Sequence, residues 1–169
     1  KAVGFEAISN VVAERVKNGK FTSINDFLKR INPKDMNKLQ LEGLVKAGAF
    51  DNLNSNRLSL FDSIPNFILK TKNIFDNKLA NQIDLFSEDE TLENEIVNDI
   101  EDWNFEERLS KEFEAVGFFI SDHPLNQFTE IFDDYKIIEY SNFNSNDDLR
   151  EANIAATLLK VQERKTAKG

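Results

Sequence analysis

The sequence predicts a mainly α-helical protein with one strand-like stretch near its C-terminal end. Apolar side chains recur every three or four residues through most of the chain, which is the spacing of one face of a helix. Capping residues precede these stretches, and Gly or Pro follows them, as at helix ends. From Ile154 to Val161, β-branched and apolar residues alternate loosely, which predicts a strand.

The composition excludes several kinds of site. The 169 residues include no Cys and one His, so disulfides, thiolate zinc sites and multi-histidine metal sites are excluded. The chain has neither a run of about 18 apolar residues nor a secretory leader, so a cytoplasmic protein without a membrane partner is expected. It begins with Lys and ends with Thr-Ala-Lys-Gly, and we therefore expect a fragment of a longer protein.

Three helices are expected in the first 50 residues. The first has its apolar positions at Phe5, Ile8, Val12 and Val16 and ends at Asn18-Gly19, where Gly permits a left-handed backbone. The second starts at Thr22 or Ser23 and stops at Asn32-Pro33, because the residue before Pro avoids the helical region. The third starts with a capping box at Asn37 and Gln40 and closes at Ala47-Gly48-Ala49.

A fourth apolar run begins after Arg57 and contains Pro65. Proline removes a backbone donor and clashes with the preceding turn, so we expect a break or kink near Ser63 and Ile64.

Charge is segregated along the chain. Residues 1–80 carry 13 Lys and Arg against 8 Asp and Glu, whereas residues 81–134 carry 2 against 17. Nine acidic residues and no basic one lie between Gln82 and Asp102, which is typical of a solvated linker. This linker opens with Gln82-Ile83-Asp84-Leu85-Phe86, an apolar pair near an amide that is a common form of peptide ligand. Alternatively, Leu85 and Phe86 complete the local core.

In the last third of the chain, the sequence predicts two more helices before the strand. One begins after Trp103 and stops at Gly117. The next restarts at Asp122-His123-Pro124 and turns its apolar residues inward, namely Leu125, Phe128, Ile131 and Phe132. The strand from Ile154 would find its partners beyond Gly169, because a lone strand is not stable.

Catalysis by these residues is not expected. Asp133-Asp134 and Asp147-Asp148 are adjacent pairs whose side chains diverge, whereas two-metal chemistry needs convergent carboxylates. His123 has no partner triad and is expected to cap a helix or to be buried and hydrogen bonded.

Two glycine turns in the basic half are candidates for binding phosphate. Ala2-Val3-Gly4 follows Lys1, and Ala47-Gly48-Ala49 follows Lys46. Turns between helices expose backbone N–H groups, and Gly allows a phosphate to approach closely. The alternative is that each Gly only ends a helix.

Several segments carry a family resemblance. Lys1–Gly4 resembles an Ile-Lys-x-Val-Gly turn, and Phe21–Phe27 resembles a Phe-x-Ser-x-x-Asp-Phe segment. Lys46–Asp51 and Asn56-Arg57 resemble a Gly-Ala-Phe-Asp motif and its downstream Arg.

Later segments follow in the same family order. Gln82–Phe86 resembles the sliding-clamp motif Gln-x-x-Leu/Met-Phe, and Gly117–Leu125 is similar to Gly-Leu-Tyr-Leu-Thr-Gly-His-Pro-Leu, with Asp122 in place of the usual Gly. Ile154–Gly169 resembles the first strand and loop of an oligonucleotide-binding domain. Together these motifs resemble the C-terminal part of the alpha subunits of bacterial DNA polymerase III, the replicative C-family polymerases.

The resemblance implies a mainly α fold in four parts. These are a helix-hairpin-helix region at 1–80, an acidic linker with the clamp motif at 81–102, a helical pair at 103–140, and a linker with the start of a truncated OB-fold at 141–169. DNA backbone contacts fall on a set of turn residues: Lys1, Val3, Gly4, Lys46, Gly48 and Ala49. Clamp contacts fall on Gln82, Ile83, Asp84, Leu85 and Phe86.

The implied partners are duplex DNA, the sliding clamp (beta subunit) and, through regions outside this chain, other holoenzyme subunits. The family's catalytic aspartates and their Mg²⁺ belong to an upstream domain, so no cofactor and no catalytic residue is expected here. Two alternatives stay open, a damage-tolerant C-family paralogue and a stand-alone adaptor that tethers a partner to the clamp.

Overall fold

A computed structural model describes residues 4–79 and 100–163, in two compact units, Lys1–Ile120 and Ser121–Gly169. Within the described residues, the first unit contains helices α1 (Phe5–Asn18), α2 (Ile24–Arg30), α3 (Lys38–Lys46), α4 (Arg57–Leu79) and α5 (Phe105–Val116). The second contains a 3-10 helix (Pro124–Phe128), α6 (Thr129–Asp134) and α7 (Tyr140–Asn144). The predicted contacts at Lys1, Val3 and Gln82–Phe86 lie outside the described residues.

The core of the first unit lies between α2, α3 and α4. Phe27 packs edge to face on Phe21 and on Phe50, with ring centroids 5.1 and 5.0 Å apart, and such pairs add to the gain from burial alone. The buried apolar residues of this cluster are Ile24, Phe27, Leu28, Ile31, Met36, Leu41, Val45, Phe50, Leu60, Ile64 and Phe67.

The predicted helix caps are formed. The Ser23 side chain accepts from the Asp26 N–H at 3.0 Å. Asn37 and Gln40 make the reciprocal capping box, with distances of 3.0 and 2.8 Å. These caps satisfy N–H groups that have no partner within the helix, and they fix where α2 and α3 begin.

The apolar face predicted for α1 is wrong, although the helix itself is confirmed. Phe5 is 90% exposed and Val16 78% exposed, whereas Ala7 is buried and Val11 packs against the core. Ala7 and Val11 lie one turn apart on a different face of the helix. The helix therefore turns Ala7 and Val11 inward and leaves Phe5, Val12 and Val16 of the predicted stripe exposed.

The break predicted near Ser63 and Ile64 is also wrong, because α4 runs through Pro65 from Arg57 to Leu79, while the alternative of a kink stays a prediction. Pro65 is exposed, while Leu60, Ile64 and Phe67 are buried on the inner face. Burying three such side chains contributes roughly 5–9 kcal/mol, which exceeds the cost of about 3 kcal/mol for an interior proline.

The second unit has no buried residue between Ser121 and Glu163. The prediction that Leu125, Phe128, Ile131 and Phe132 face inward is therefore wrong for Phe128 and Ile131, which are 41% and 49% exposed, whereas Leu125 and Phe132 are half-buried. The small unit offers too little opposing surface to cover these side chains. His123 caps the 3-10 helix, because its Nδ1 accepts from the Leu125 N–H at 3.2 Å.

The predicted strand from Ile154 to Val161 is not formed in the described residues. An isolated bridge joins Ile137 to Asn153 just before it. A strand is defined by hydrogen bonds to a neighbouring strand, and the described part of this unit contains no neighbouring strand for residues 154–161. The OB-fold assignment of 141–169 stays a prediction.

Candidate nucleic-acid interface

The second glycine turn uses its backbone N–H groups to end α3. The Gly48 N–H donates to the Val45 carbonyl, and the Ala49 N–H donates to the Leu44 carbonyl, both at 3.0 Å. This pair of bonds is the Schellman arrangement, which satisfies the last carbonyls of a helix. Both N–H groups that were predicted to donate to phosphate therefore have acceptors in α3, and the DNA contact at Gly48 and Ala49 stays a prediction.

Gly48 is instead placed where Arg57 comes close to the backbone. Its φ is +74°, and a Cβ at this position would lie 2.7 Å from Arg57 Cζ and 2.9 Å from Asp51 Oδ2. Only a residue without a side chain fits both the left-handed backbone and this approach. The glycine in this turn therefore makes room for a guanidinium.

Arg57 holds the second turn, α4 and α5 together. Its side chain is 2% exposed and forms ion pairs with Asp51 (2.7 Å) and Glu112 (2.8 Å), while Nη1 also donates to the Lys46 carbonyl at 3.1 Å. Burial lowers the pKa of Arg57, but the hydrogen bonds to the two carboxylates outweigh it and leave that pKa raised. Arg57 stays charged, and its planar fork fits carboxylates on two sides.

Glu112 is a key residue of this network that the sequence reasoning missed. Its side chain is 0% exposed, and its second carboxylate oxygen accepts from the Ile120 N–H at 2.9 Å. The available signal was its position on the apolar stripe of α5, between Leu109 and Phe113. A charged residue on a buried stripe indicates a buried partner of opposite charge.

The Lys46 side chain, which was predicted to contact phosphate, forms an ion pair within the first unit, and its phosphate contact stays a prediction. Its Nζ lies 2.9 Å from Glu114 Oε1 and 5.4 Å from the ring centroid of Phe61, and its side chain is only 14% exposed. The hydrogen bond from Lys46 lowers the pKa of Glu114. The positive charge of Lys46 is therefore paired with a carboxylate within the first unit.

Gly4 directly precedes α1, as the sequence predicted. It is the exposed N-cap of α1, with φ −71° and ψ 150°, and none of the described side chains caps this helix end. A Cβ on Gly4 would meet nothing within 4 Å. First-turn N–H groups at a helix N-terminus attract anions through the helix dipole. The exposed helix end at Gly4 is therefore compatible with the phosphate contact predicted there, which stays a prediction.

The described residues show no sign of a metal centre or a membrane span. Their His, Asp and Glu side chains do not gather in any group of three that could hold a metal ion. None of the helices in these ranges combines the length and apolarity needed to cross a membrane.

Comparisons with known proteins point to one family. A family model described as a helix-hairpin-helix motif matches residues 1–60. DNA polymerase III subunit alpha of Rickettsia conorii is 35% identical over 162 residues, which are 94% of this chain and 14% of that protein. The Rickettsia bellii protein of the same name is 37% identical over 163 residues, again 94% and 14%.

A relative from another genus gives the same result. DNA polymerase III subunit alpha of Caulobacter vibrioides is 35% identical over 123 residues, which are 73% of this chain and 11% of that protein. The chain spans only about one seventh of the length of the curated relatives it matches.

Proposed function

This chain belongs to the family of DNA polymerase III alpha subunits, of which it matches one segment, and we propose that it grips duplex DNA and docks on a sliding clamp. The observation that carries the DNA half is the helix-hairpin-helix match over residues 1–60, together with the open N-terminus of α1 at Gly4. The clamp half rests on the motif Gln82–Phe86 in the sequence.

The DNA contact proposed here is to the phosphate backbone and reads no bases. The first-turn N–H groups of α1 donate to a phosphate, and Gly4 lets the backbone approach it. Because released counterions supply much of the affinity, binding weakens steeply as salt rises. Such contacts suit a protein that must move along DNA of any sequence.

The proposed DNA contact is tested by placing a negative charge at position 4. Its backbone is in an ordinary region with open space around it, so Gly4→Asp should fold and even cap α1. The added carboxylate should nevertheless weaken duplex binding about 3- to 10-fold, because it takes the place of the phosphate at the helix end. Gly4→Asn caps the helix without charge and serves as the matched control.

Ala49→Asp provides a second control, since it adds the same charge at the exposed position whose N–H group is already bonded. Binding is followed by fluorescence anisotropy of a labelled duplex at several salt concentrations. Equal losses from Gly4→Asp and Ala49→Asp would contradict a contact localised at α1, and an affinity independent of salt would contradict backbone binding.

The clamp contact proposed for Gln82–Phe86 has a simple energetic basis. Leu85 and Phe86 enter an apolar pocket, and Gln82 donates a hydrogen bond at its mouth. Burying two such side chains gives roughly 3–6 kcal/mol before ordering costs, so the motif alone should bind around micromolar. Simultaneous contact with DNA raises the effective concentration of the clamp, and a weak motif still permits release.

Titration of purified clamp into this chain tests the proposal. Leu85→Ala/Phe86→Ala should abolish saturable binding in calorimetry. Ile96→Ala/Val97→Ala removes two apolar side chains from the same acidic segment and should leave binding unchanged. Equal binding by all three proteins would remove the clamp hypothesis.

For the longer protein to which this segment corresponds, we propose template-directed DNA synthesis with the catalytic residues and their Mg²⁺ outside these 169 residues. The names of the relatives support this reading. The length of those relatives favours it over a stand-alone adaptor, because each is about seven times as long as the matched segment.

A further inference from the structure

Helix α1 is held to the first unit by few apolar contacts. Ala7 is its buried residue, with Val11 partly buried against the core, while Phe5 and Val16 are largely exposed. A helix with so little buried surface gains only a small hydrophobic stabilisation. Its direction must depend on other contacts.

Those contacts converge on the guanidinium of Arg30, at the end of α2. Nε donates to Glu14 Oε1 at 2.9 Å, and Nη2 donates to the Gly19 carbonyl at 2.9 Å and the Glu14 carbonyl at 3.3 Å. Nη1 donates to Asp26 Oδ2 at 3.0 Å, and Cζ lies 4.4 Å from the ring centroid of Phe21. One side chain therefore joins the last turn of α1, the following turn and α2.

We infer that Arg30 is a positioning residue, which sets the direction of α1 and so the location of the helix end at Gly4. This inference rests on the DNA contact proposed above. A helix of 14 residues is about 20 Å long, so a tilt of about 20° at its C-terminal end moves the other end by roughly 7 Å. A phosphate hydrogen bond tolerates a displacement of only a few tenths of an ångström.

Lysine cannot replace this arginine. A guanidinium presents a planar fork that reaches several acceptors in fixed directions, whereas an ammonium is a compact charge on a flexible stem. Arg30→Lys therefore keeps the net charge and removes the simultaneous contacts with Glu14, Asp26 and Gly19. The substitution separates geometry from electrostatics.

The absence of cysteine from the chain allows spin labels to be placed at two chosen positions. Asn10→Cys on α1 and Leu69→Cys on α4 are both exposed, and a pulsed distance measurement between them reports the direction of α1. Trp103, the single tryptophan, reports unfolding of the core. Arg30→Lys is compared with Arg15→Lys, which makes the same change at an exposed position on α1.

We expect Arg30→Lys to broaden the distance distribution and to weaken duplex binding about 3- to 10-fold, the range for loss of a helix-end contact. Arg15→Lys should change neither. A distance distribution as narrow as that of the parent protein would overturn the positioning role. A broadened distribution with unchanged DNA affinity would keep α1 held by Arg30 but overturn its role in DNA binding, and with it the contact at Gly4.

Glu14→Gln keeps the inference testable if Arg30→Lys fails to fold. Glu14→Gln leaves Arg30 in place and weakens its charge-assisted hydrogen bond to residue 14. It should therefore broaden the distance distribution and weaken duplex binding, both to a smaller degree than Arg30→Lys. An unchanged distance distribution in Glu14→Gln, with Arg30→Lys unfolded, would show that Arg30 is needed for folding alone and would overturn the inference.

Discussion

Replacing Gly48 by alanine should destabilise the first unit far more than a typical surface substitution. The left-handed backbone costs an alanine about 1–2 kcal/mol. The new Cβ would also collide with the Arg57 guanidinium, which is 2% exposed and bonded to Asp51 and Glu112, so it has no free space to move into. Breaking a buried pair costs about 3–5 kcal/mol, and the expected total is about 4–7 kcal/mol.

Two other glycines calibrate this value. Gly19 has a φ of +88° but open space around its Cβ position, whereas Gly4 has an ordinary φ and open space. Gly19→Ala should therefore cost about 1–3 kcal/mol for backbone strain alone, and Gly4→Ala should stay within about 0.5 kcal/mol.

Urea unfolding followed by Trp103 fluorescence measures all three variants, because this residue packs on Phe61 of α4 with ring centroids 5.5 Å apart. A Gly48→Ala midpoint equal to that of Gly19→Ala would refute the claim that Gly48 makes room for Arg57.

Three further predictions concern the same unit. Glu112→Ala leaves Arg57 with one carboxylate in a buried site and should cost about 3–5 kcal/mol in urea unfolding, and a loss below about 1 kcal/mol would contradict this. Asn37→Ala removes the cap of α3 and should cost about 1 kcal/mol, visible as a lowered Tm. The pKa of Glu114 lies below its ordinary value of 4.5 because Lys46 donates to it. The stability from this pair is therefore complete above pH 4.5 and lost as pH falls through the lowered pKa. Lys46→Met should make Tm less sensitive to pH in that window, and an identical pH profile would contradict the assignment.

Local features of the fold were predictable, and long-range ones were not. The capping box of α3 and the stop at Gly19 depend on residues within a few positions of each other, so the sequence displays them directly. The inner face of α1 and the continuity of α4 through Pro65 depend on what the rest of the unit packs against those helices. A periodic pattern marks a helix but does not say which of two apolar stripes is covered.

The candidate DNA contacts show the same difference between local features, which were predictable, and long-range ones, which were not. The sequence predicted that Gly4 and Gly48 each lie at a helix end, and it predicted a phosphate contact at both positions. What separates them is whether the neighbouring N–H groups have acceptors: those of Gly48 and Ala49 donate to α3, whereas none of the side chains in the described ranges caps the start of α1. Sequence spacing shows that Gly4 precedes a helix and Gly48 follows one, but it does not show which N–H groups of the neighbouring turn have found acceptors.

The segregation of charge along the sequence also bears on the proposed DNA binding. A basic N-terminal half suggests a DNA-binding face, but part of its charge is paired with the acidic residues that follow the linker. Lys46 pairs with Glu114 and Arg57 with Glu112, across 68 and 55 residues. Complementary charges far apart in sequence thus join α5 to α3 and α4, and the charges of Lys46 and Arg57 are paired within the first unit. In the proposed function, DNA affinity comes from the helix end at Gly4 together with exposed lysines, and Arg30 adjusts it through the direction of α1.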